Sequence, residues 1–104
     1  MQIQINTDKT IEGTDRLQTY YTTELENALA RFDDKITRIE VHFGDENADK
    51  FDERDKRCLI EARVANMQPV AVTNFSDTTE KAFHGALDKL KTVLKTTFEK
   101  QREY

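Results

Sequence analysis

The chain has 104 residues, of which 37% are hydrophobic and 35% are charged, and its formal net charge is −4. This length fits one domain with one core, and the negative charge argues against a protein that binds nucleic acid by being basic over its whole surface. No apolar run is long enough for a transmembrane helix or a signal peptide, and a lone cysteine fits a reducing compartment. We therefore expect residues 1–104 to form a single cytoplasmic domain that does not enter a membrane.

The first half of the chain predicts a strand, a helix and a second strand. Residues 2–6 alternate between apolar and polar side chains, which is the period of a half-buried strand. After Gly13, a cap at Thr14 or Asp15 can begin a helix. A second alternating stretch, residues 38–43, predicts a strand that ends near Gly44. The expected apolar face of the helix has steps of three and four and consists of Leu17, Tyr20, Tyr21, Leu25, Ala28, Leu29 and Phe32.

The middle of the chain, residues 45–56, is strongly acidic. It contains six acids and three bases, and Phe51 is its only bulky apolar residue. A cation could use its carboxylates, but the segment lacks the glycine that an EF-hand loop requires, and its bases compete for the same carboxylates. We therefore expect an exposed, mobile loop without a metal ion.

The second half predicts a hairpin and a long helix. Residues 57–64 alternate, residues 66–69 form a turn, and the alternation resumes at Val70. Ser76 or Asp77 is expected to cap a helix of about 25 residues. The apolar face of that helix consists of Phe83, Ala86, Leu87, Leu90, Leu94 and Phe98.

The element order β-α-β-β-β-α predicts an α+β fold with two layers. The sheet has four strands, and both helices cover its apolar face. The first two strands should be parallel neighbours, because a right-handed crossover joins them. The predicted core includes Ile3, Ile5, Leu25, Val41, Ile60, Val64, Leu87 and Leu94. The opposite face should be polar and open, with Gln2, Gln4, Arg38, Glu40, His42, Arg57, Glu61, Arg63 and Thr73.

Groups that could carry catalysis are scattered along the chain. His42 and His84 belong to different elements, without the ligand spacing of a zinc site. There is no glycine-rich phosphate loop, and Cys58 falls in phase with apolar residues, as a buried structural thiol does. We predict that the chain is not an enzyme and uses no cofactor, metal ion or small-molecule substrate.

The latter part of the second helix is rich in cations. Two interpretations are open: the cations complement the helix dipole, or they form a ridge that contacts phosphates, assisted by Arg16 and Arg31. The cations are Lys89, Lys91, Lys95, Lys100 and Arg102, against the single acid Glu99.

Several stretches resemble the ribosome hibernation-promoting and ribosome-associated inhibitor family, over nearly the whole chain. The main one is residues 82–90, AFHGALDKL, followed by Leu94 and Lys95. Residues 3–5, 28–32 and 38–42 add to it, and a short single-domain branch is the most similar. Such members have the β-α-β-β-β-α domain, with a shape like that of double-stranded RNA-binding domains. We accordingly expect no C-terminal dimerisation domain after Tyr104.

The resemblance implies binding to the RNA of the small ribosomal subunit near the decoding channel, with translation held idle in stress or stationary phase. The residues that it implies for RNA binding are Lys89 and Lys100 of the second helix and Arg31 at the end of the first. We predict that Lys95 and Arg102 of the same basic cluster also bind RNA. Other positions that are basic in better-known members are Glu24, Ala28, Thr92 and Thr96 here. The alternative is a protein-interaction module that kept the fold and lost the RNA surface. The oligomeric state is left open.

Overall fold

The computed structural model describes residues 1–7, 15–45 and 56–102, and their elements follow the predicted order. The predicted mobile loop, 45–56, lies outside the described residues except for its two ends. Those ends, Asp45 and Lys56, belong to neighbouring strands and form an ion pair of 2.7 Å. The elements are β1 (Gln2–Thr7), α1 (Asp15–Ala28), a 3-10 turn (Ala30–Phe32), β2 (Ile36–Asp45), β3 (Lys56–Val64), β4 (Val70–Ser76) and α2 (Thr79–Arg102).

The four strands form one mixed sheet in the order β1-β2-β3-β4. β1 and β2 are parallel, and the other neighbouring pairs are antiparallel. The register places Val41 of β2 beside Ile60 of β3, and Ile60 beside Val72 of β4. The predicted α+β class and the parallel first pair are confirmed.

One buried cluster joins the sheet to both helices. Ile39, Val41 and Ile60 of the sheet are fully buried together with Leu25 of α1 and Leu90 of α2. Because side chains on one face of a strand recur at every second residue, these contacts place both helices on the same face of the sheet. Ile3 and Ile5 of the predicted core are only half-buried, because β1 is an edge strand. The other predicted core residues, Leu25, Val41, Ile60, Val64, Leu87 and Leu94, are buried.

The opposite face of the sheet is polar along β2 and most of β3, as the alternation predicts. Arg38 and Glu40 form an ion pair of 3.3 Å, and Arg63 and Glu61 form another of the same length. Phe75 of β4 departs from this pattern, since 45% of its surface is exposed. The charge on this part of the face is therefore largely neutralised within the sheet, and an aromatic ring is exposed at one end.

The predicted apolar face of α1 is wrong at its N-terminal end. Leu17 and Tyr20 are 38% and 36% exposed. Tyr21 takes the inward position instead, with its ring 4.9 Å from the ring of Phe43 and 4.6 Å from that of Phe83. A residue next to Tyr21 lies about 100° away around the helix, so Tyr20 cannot share that position.

The cap of α2 is also one position later than the sequence predicts. The hydroxyl oxygen of Thr78 accepts a hydrogen bond from the backbone N–H of Lys81, 3.1 Å away. Ser76 ends β4 and donates to the carboxylate of Asp77. That hydrogen bond, with the nearby Lys81 ammonium, lowers the pKa of Asp77. Thr78 is thus the N-cap, because its side chain satisfies a free N–H of the first turn.

Asn66, in the turn between β3 and β4, is expected to resist replacement by any residue but glycine. Its φ is 64°, in the left-handed region. A side chain that cannot bond to its own backbone loses about 1 to 2 kcal/mol there. Asn66→Ala should lower the free energy of unfolding by about 1 kcal/mol in urea titrations, and Asn66→Gly should be nearly neutral. Equal losses in the two variants would contradict the backbone explanation.

Candidate nucleic-acid interface

A groove of about 200 Å³ separates the C-terminal end of α1 and the 3-10 turn from the middle of α2. Its cations are Arg31 of the turn and Lys91 and Lys95 of α2. We call this surface the basic groove, and the rest of its lining consists of Ala28, Phe32 and Thr92.

Arg31 is held at the groove by the aromatic residue that follows it. Phe32 is buried, and its ring centroid lies 5.2 Å from that of Phe98 on α2. The guanidinium carbon of Arg31 lies 4.7 Å from the centroid of the Phe32 ring, within the range of a cation–π contact. The 3-10 turn therefore packs its phenyl ring into the core and leaves its cation at the rim.

Lys91 and Lys95 face the groove because the core fixes the rotation of α2. Leu90 and Leu94, the residues before them, are fully buried. Residues four apart lie one above the other on a helix, so the two exposed lysines form a short stripe. Thr92, between them, donates its hydroxyl to the carbonyl of Asp88, 3.1 Å away. The lysines thus supply the cationic donors on the α2 side of the groove.

A further cation lies beside the same aromatic pair. The ammonium of Lys35, in the connection to β2, lies 4.5 Å from the centroid of the Phe98 ring. Arg31 and Lys35 thus contact the two rings of one aromatic pair. No local sequence pattern marks Lys35, because its position depends on how the chain turns back between the 3-10 turn and β2.

The five residues expected to bind RNA do not share one surface. Arg31 and Lys95 line the basic groove. Lys89 lies on another side of α2, where its ammonium donates to the backbone carbonyl of Thr73 in β4, 2.8 Å away. Lys100 is exposed near the end of α2, and the side chain of Arg102 lies outside the described part of the chain. Lys91, which the predicted set leaves out, is brought beside Lys95 and Arg31.

Among the residues that the structure describes, no acid forms an ion pair with the cations of the basic groove. Within residues 1–7, 15–45 and 56–102, the ion pairs involve other cations, among them Arg38, Lys56 and Lys81. Arg31, Lys91 and Lys95 form none with these residues. Three cations therefore line one groove on a chain whose net charge is −4.

A second polar cluster joins the helices closer to the N-terminus of α2. The hydroxyl of Tyr20 lies 3.0 Å from Nε2 of His84 and 3.3 Å from a carboxylate oxygen of Glu80. Partial burial and the carboxylates of Glu80 and Glu24 raise the pKa of Tyr20. Sequence reasoning missed this cluster, because it assigned Tyr20 to the core. Its hydrogen bonds connect α1 to α2, and none of its residues lines the basic groove.

Cys58 and the histidines give no sign of catalytic chemistry. Cys58 is fully buried, and burial raises the pKa of its thiol to about 12, so its nucleophilic thiolate form is suppressed. His42 lies on β2, 3.5 Å from the side-chain nitrogen of Asn6. Across the described residues, no group of three or more His, Cys, Asp or Glu side chains could hold a metal ion. None of the described helices is long and apolar enough to cross a membrane.

Two solved structures share this fold over almost the whole chain. A ribosomal subunit interface protein from Coxiella burnetii is 19% identical with a TM-score of 0.71, covering 95% of this chain and 99% of its own. The N-terminal domain of Protein Y from Thermus thermophilus is 22% identical with a TM-score of 0.73, covering 93% and 99%. At these identities the likeness establishes the fold. No curated protein matches the chain.

A family model provides the assignment that the structural likeness alone does not. The model is described as sigma 54 modulation protein / S30EA ribosomal protein, and it matches residues 3–102. This match confirms the resemblance drawn from the sequence, and with it the prediction of a binding protein that is not an enzyme. The chain belongs to the sigma 54 modulation protein / S30EA ribosomal protein family.

Proposed function

We propose that the chain is a cytoplasmic, ribosome-associated factor that binds RNA of the small subunit through the basic groove and holds translation idle in stress or stationary phase. The observation that carries this proposal is the convergence of Arg31, Lys91 and Lys95 on one groove without carboxylate partners among the described residues. Family membership supports a ribosomal target. One of the two similar structures is a ribosomal subunit interface protein, which agrees with this target.

The groove is suited to phosphates more than to bases. Every charged side chain that lines the groove is a cation. The hydroxyl of Thr92 already donates to a backbone carbonyl within α2. Phosphate contacts position a protein on RNA without reading its sequence. Three contacts of this kind give a salt slope of roughly −2 to −3 in log K against log salt concentration. We therefore expect weak and salt-sensitive association.

The test is co-sedimentation of the protein with small ribosomal subunits at several salt concentrations. The groove variant is Lys91→Glu/Lys95→Glu. The matched control is Lys89→Glu/Lys100→Glu, which changes the net charge equally on the same helix but outside the groove. We expect the groove variant to lose co-sedimentation at moderate salt and the control to retain most of it. Melting temperatures of both should stay close to that of the parent, since all four side chains are exposed.

Three outcomes would contradict the proposal. If only the control variant loses co-sedimentation, the ribosome contact lies on the side of α2 that carries Lys89 and Lys100. Equal loss in both variants would indicate an attraction to net charge without a defined site. Retention in both would exclude α2 as the ribosome contact.

A second candidate function is the protein-interaction module that kept the fold. It is favoured by the outer surface of α1, where a shallow depression is lined only by uncharged polar residues and one acid. Such a surface offers no cation to an RNA backbone. If neither variant changes ribosome binding, this candidate becomes the better one. The lining residues are Gln18, Thr19, Thr22, Thr23 and Glu26.

A further inference from the structure

Within the described part of the chain, the outer edge of β4 has no neighbouring strand. β4 is the last of the described strands in the sheet and pairs there only with β3. In an antiparallel pair, successive residues direct their backbone groups alternately toward the partner strand and away from it. The carbonyl of Thr73 accepts from Lys89, on the side of β4 away from β3. The outward positions are therefore Ala71, Thr73 and Phe75.

A backbone hydrogen bond next to the start of β2 supports the same assignment independently. The N–H of Ala65 donates to the carbonyl of Lys35, so Ala65 directs its backbone toward β2. Backbone direction repeats at every second residue of a strand, so the backbone groups of residues 63, 61, 59 and 57 also face β2. The backbone groups of the residues between them face β4. The register pairs those residues with Val70, Val72, Asn74 and Ser76 of β4. Ala71, Thr73 and Phe75 are left with outward backbone groups.

The surroundings of this edge combine one cation with apolar surface on both sides. Lys89 reaches the edge from α2 and occupies a single acceptor, the carbonyl of Thr73. Val93 lies one helical turn beyond Lys89 and is 37% exposed, and Phe75 on the open face is 45% exposed. Of the other outward groups, those of Ala71 and Phe75 have no partner among the described residues. An arriving strand would thus meet hydrogen-bonding groups, apolar contacts and one ammonium.

We propose that the β4 edge binds an extended acidic peptide segment of a partner protein, which adds a fifth strand and pairs a carboxylate with Lys89. Strand addition uses main-chain hydrogen bonds for affinity and alternate side chains for specificity. Lys89 supplies the specificity, because it can exchange its bond to Thr73 for a carboxylate. This proposal does not depend on the basic groove, which lies on another side of α2.

A second copy of the chain fits this edge poorly. Antiparallel pairing of two β4 strands about Thr73 would bring the two Lys89 ammonium groups toward the same central carbonyls. Like charges at that distance repel, and a lysine on an edge strand is a common device against edge-to-edge association. Lys89 therefore discriminates against the second copy and in favour of an acidic strand.

The test uses two synthetic peptides that differ only in charge. Acetyl-Val-Glu-Val-Glu-Val-amide places its carboxylates on one side of a strand and its valines on the other, and acetyl-Val-Lys-Val-Lys-Val-amide is the basic counterpart. We expect the acidic peptide to shift the amide resonances of Ala71, Thr73 and Phe75 and to slow their hydrogen exchange. It should bind about fivefold more tightly than the basic peptide, as one surface ion pair allows, and Lys89→Glu should reverse the preference.

Thr73→Pro is the control for the edge itself. Proline removes the backbone N–H, and at an outward position of an edge strand that N–H is not part of the ladder. The variant should keep its melting temperature within a few degrees and lose peptide binding. Failure of the acidic peptide to shift these amides, equal binding by Thr73→Pro, or equal binding of both peptides to the parent would overturn the proposal. A concentration-dependent dimer that Thr73→Pro abolishes would identify a second copy as the occupant instead.

Discussion

Replacing Phe83 with alanine is expected to lower the free energy of unfolding by about 3 to 5 kcal/mol. Phe83 is fully buried, and its ring lies 4.6 Å from that of Tyr21 and 6.2 Å from that of Phe43. These contacts join α2 to α1 and to β2. Truncation removes the buried area of the ring and leaves a cavity that three separate elements would have to close.

The measurement is equilibrium unfolding in urea, followed by far-UV circular dichroism. Val93→Ala is the matched control, because it shortens an exposed apolar side chain on the same helix. It should change the free energy of unfolding by less than about 0.5 kcal/mol. A loss below about 1 kcal/mol for Phe83→Ala would contradict its placement at the junction of the helices and the sheet.

Replacing Gly85 with alanine is expected to destabilise the protein, although alanine is the better helix former. A Cβ added at Gly85 would lie 2.7 Å from Cγ of Asn74 and closer still to its amide nitrogen. Asn74 is half-buried and donates to the carbonyl of Ala82 at 3.3 Å. Overpacking of this kind costs about 1 to 3 kcal/mol, against a gain of about 1 kcal/mol in helix propensity. We expect a net loss of up to about 2 kcal/mol.

A double-mutant cycle with Asn74→Ala separates the steric clash with Asn74 from the gain in helix propensity. In the Asn74→Ala background the amide is gone, so Gly85→Ala should become stabilising by up to about 1 kcal/mol. The change of sign is the diagnostic result. If Gly85→Ala has the same effect in both backgrounds, the close approach of α2 to β4 does not explain the glycine.

The sequence predicted the elements and the fold class because hydrophobic periodicity is a local property. Alternation in residues 2–6, 38–43 and 57–64 marked three of the four strands, and steps of three and four marked both helices. The prediction of buried positions in α1 was wrong where two neighbouring residues compete for one inward position. Tyr20 and Tyr21 both continue the helical pattern, and only packing against Phe43 and Phe83 decides which ring points inward.

The candidate site was predicted only in part, for a similar reason. The number of cations on α2 is visible in the sequence, and their partition between faces follows from the helical repeat. Which groups lie opposite each face of α2 depends on the tertiary structure. Lys89 donates to the carbonyl of Thr73, 16 residues away, whereas Lys91 and Lys95 line the same groove as Arg31. No local pattern distinguishes these two environments.

By itself, the sequence determined the α+β class, the family, the buried thiol at Cys58 and the presence of surplus cations on α2. All of these depend on residue type and local spacing. The tertiary structure decided which cations converge, that Lys35 contacts Phe98, and that Gly85 allows Asn74 to reach Ala82. The physical reason is that such contacts join segments distant in the chain, and their geometry is set by how the helices pack on the sheet.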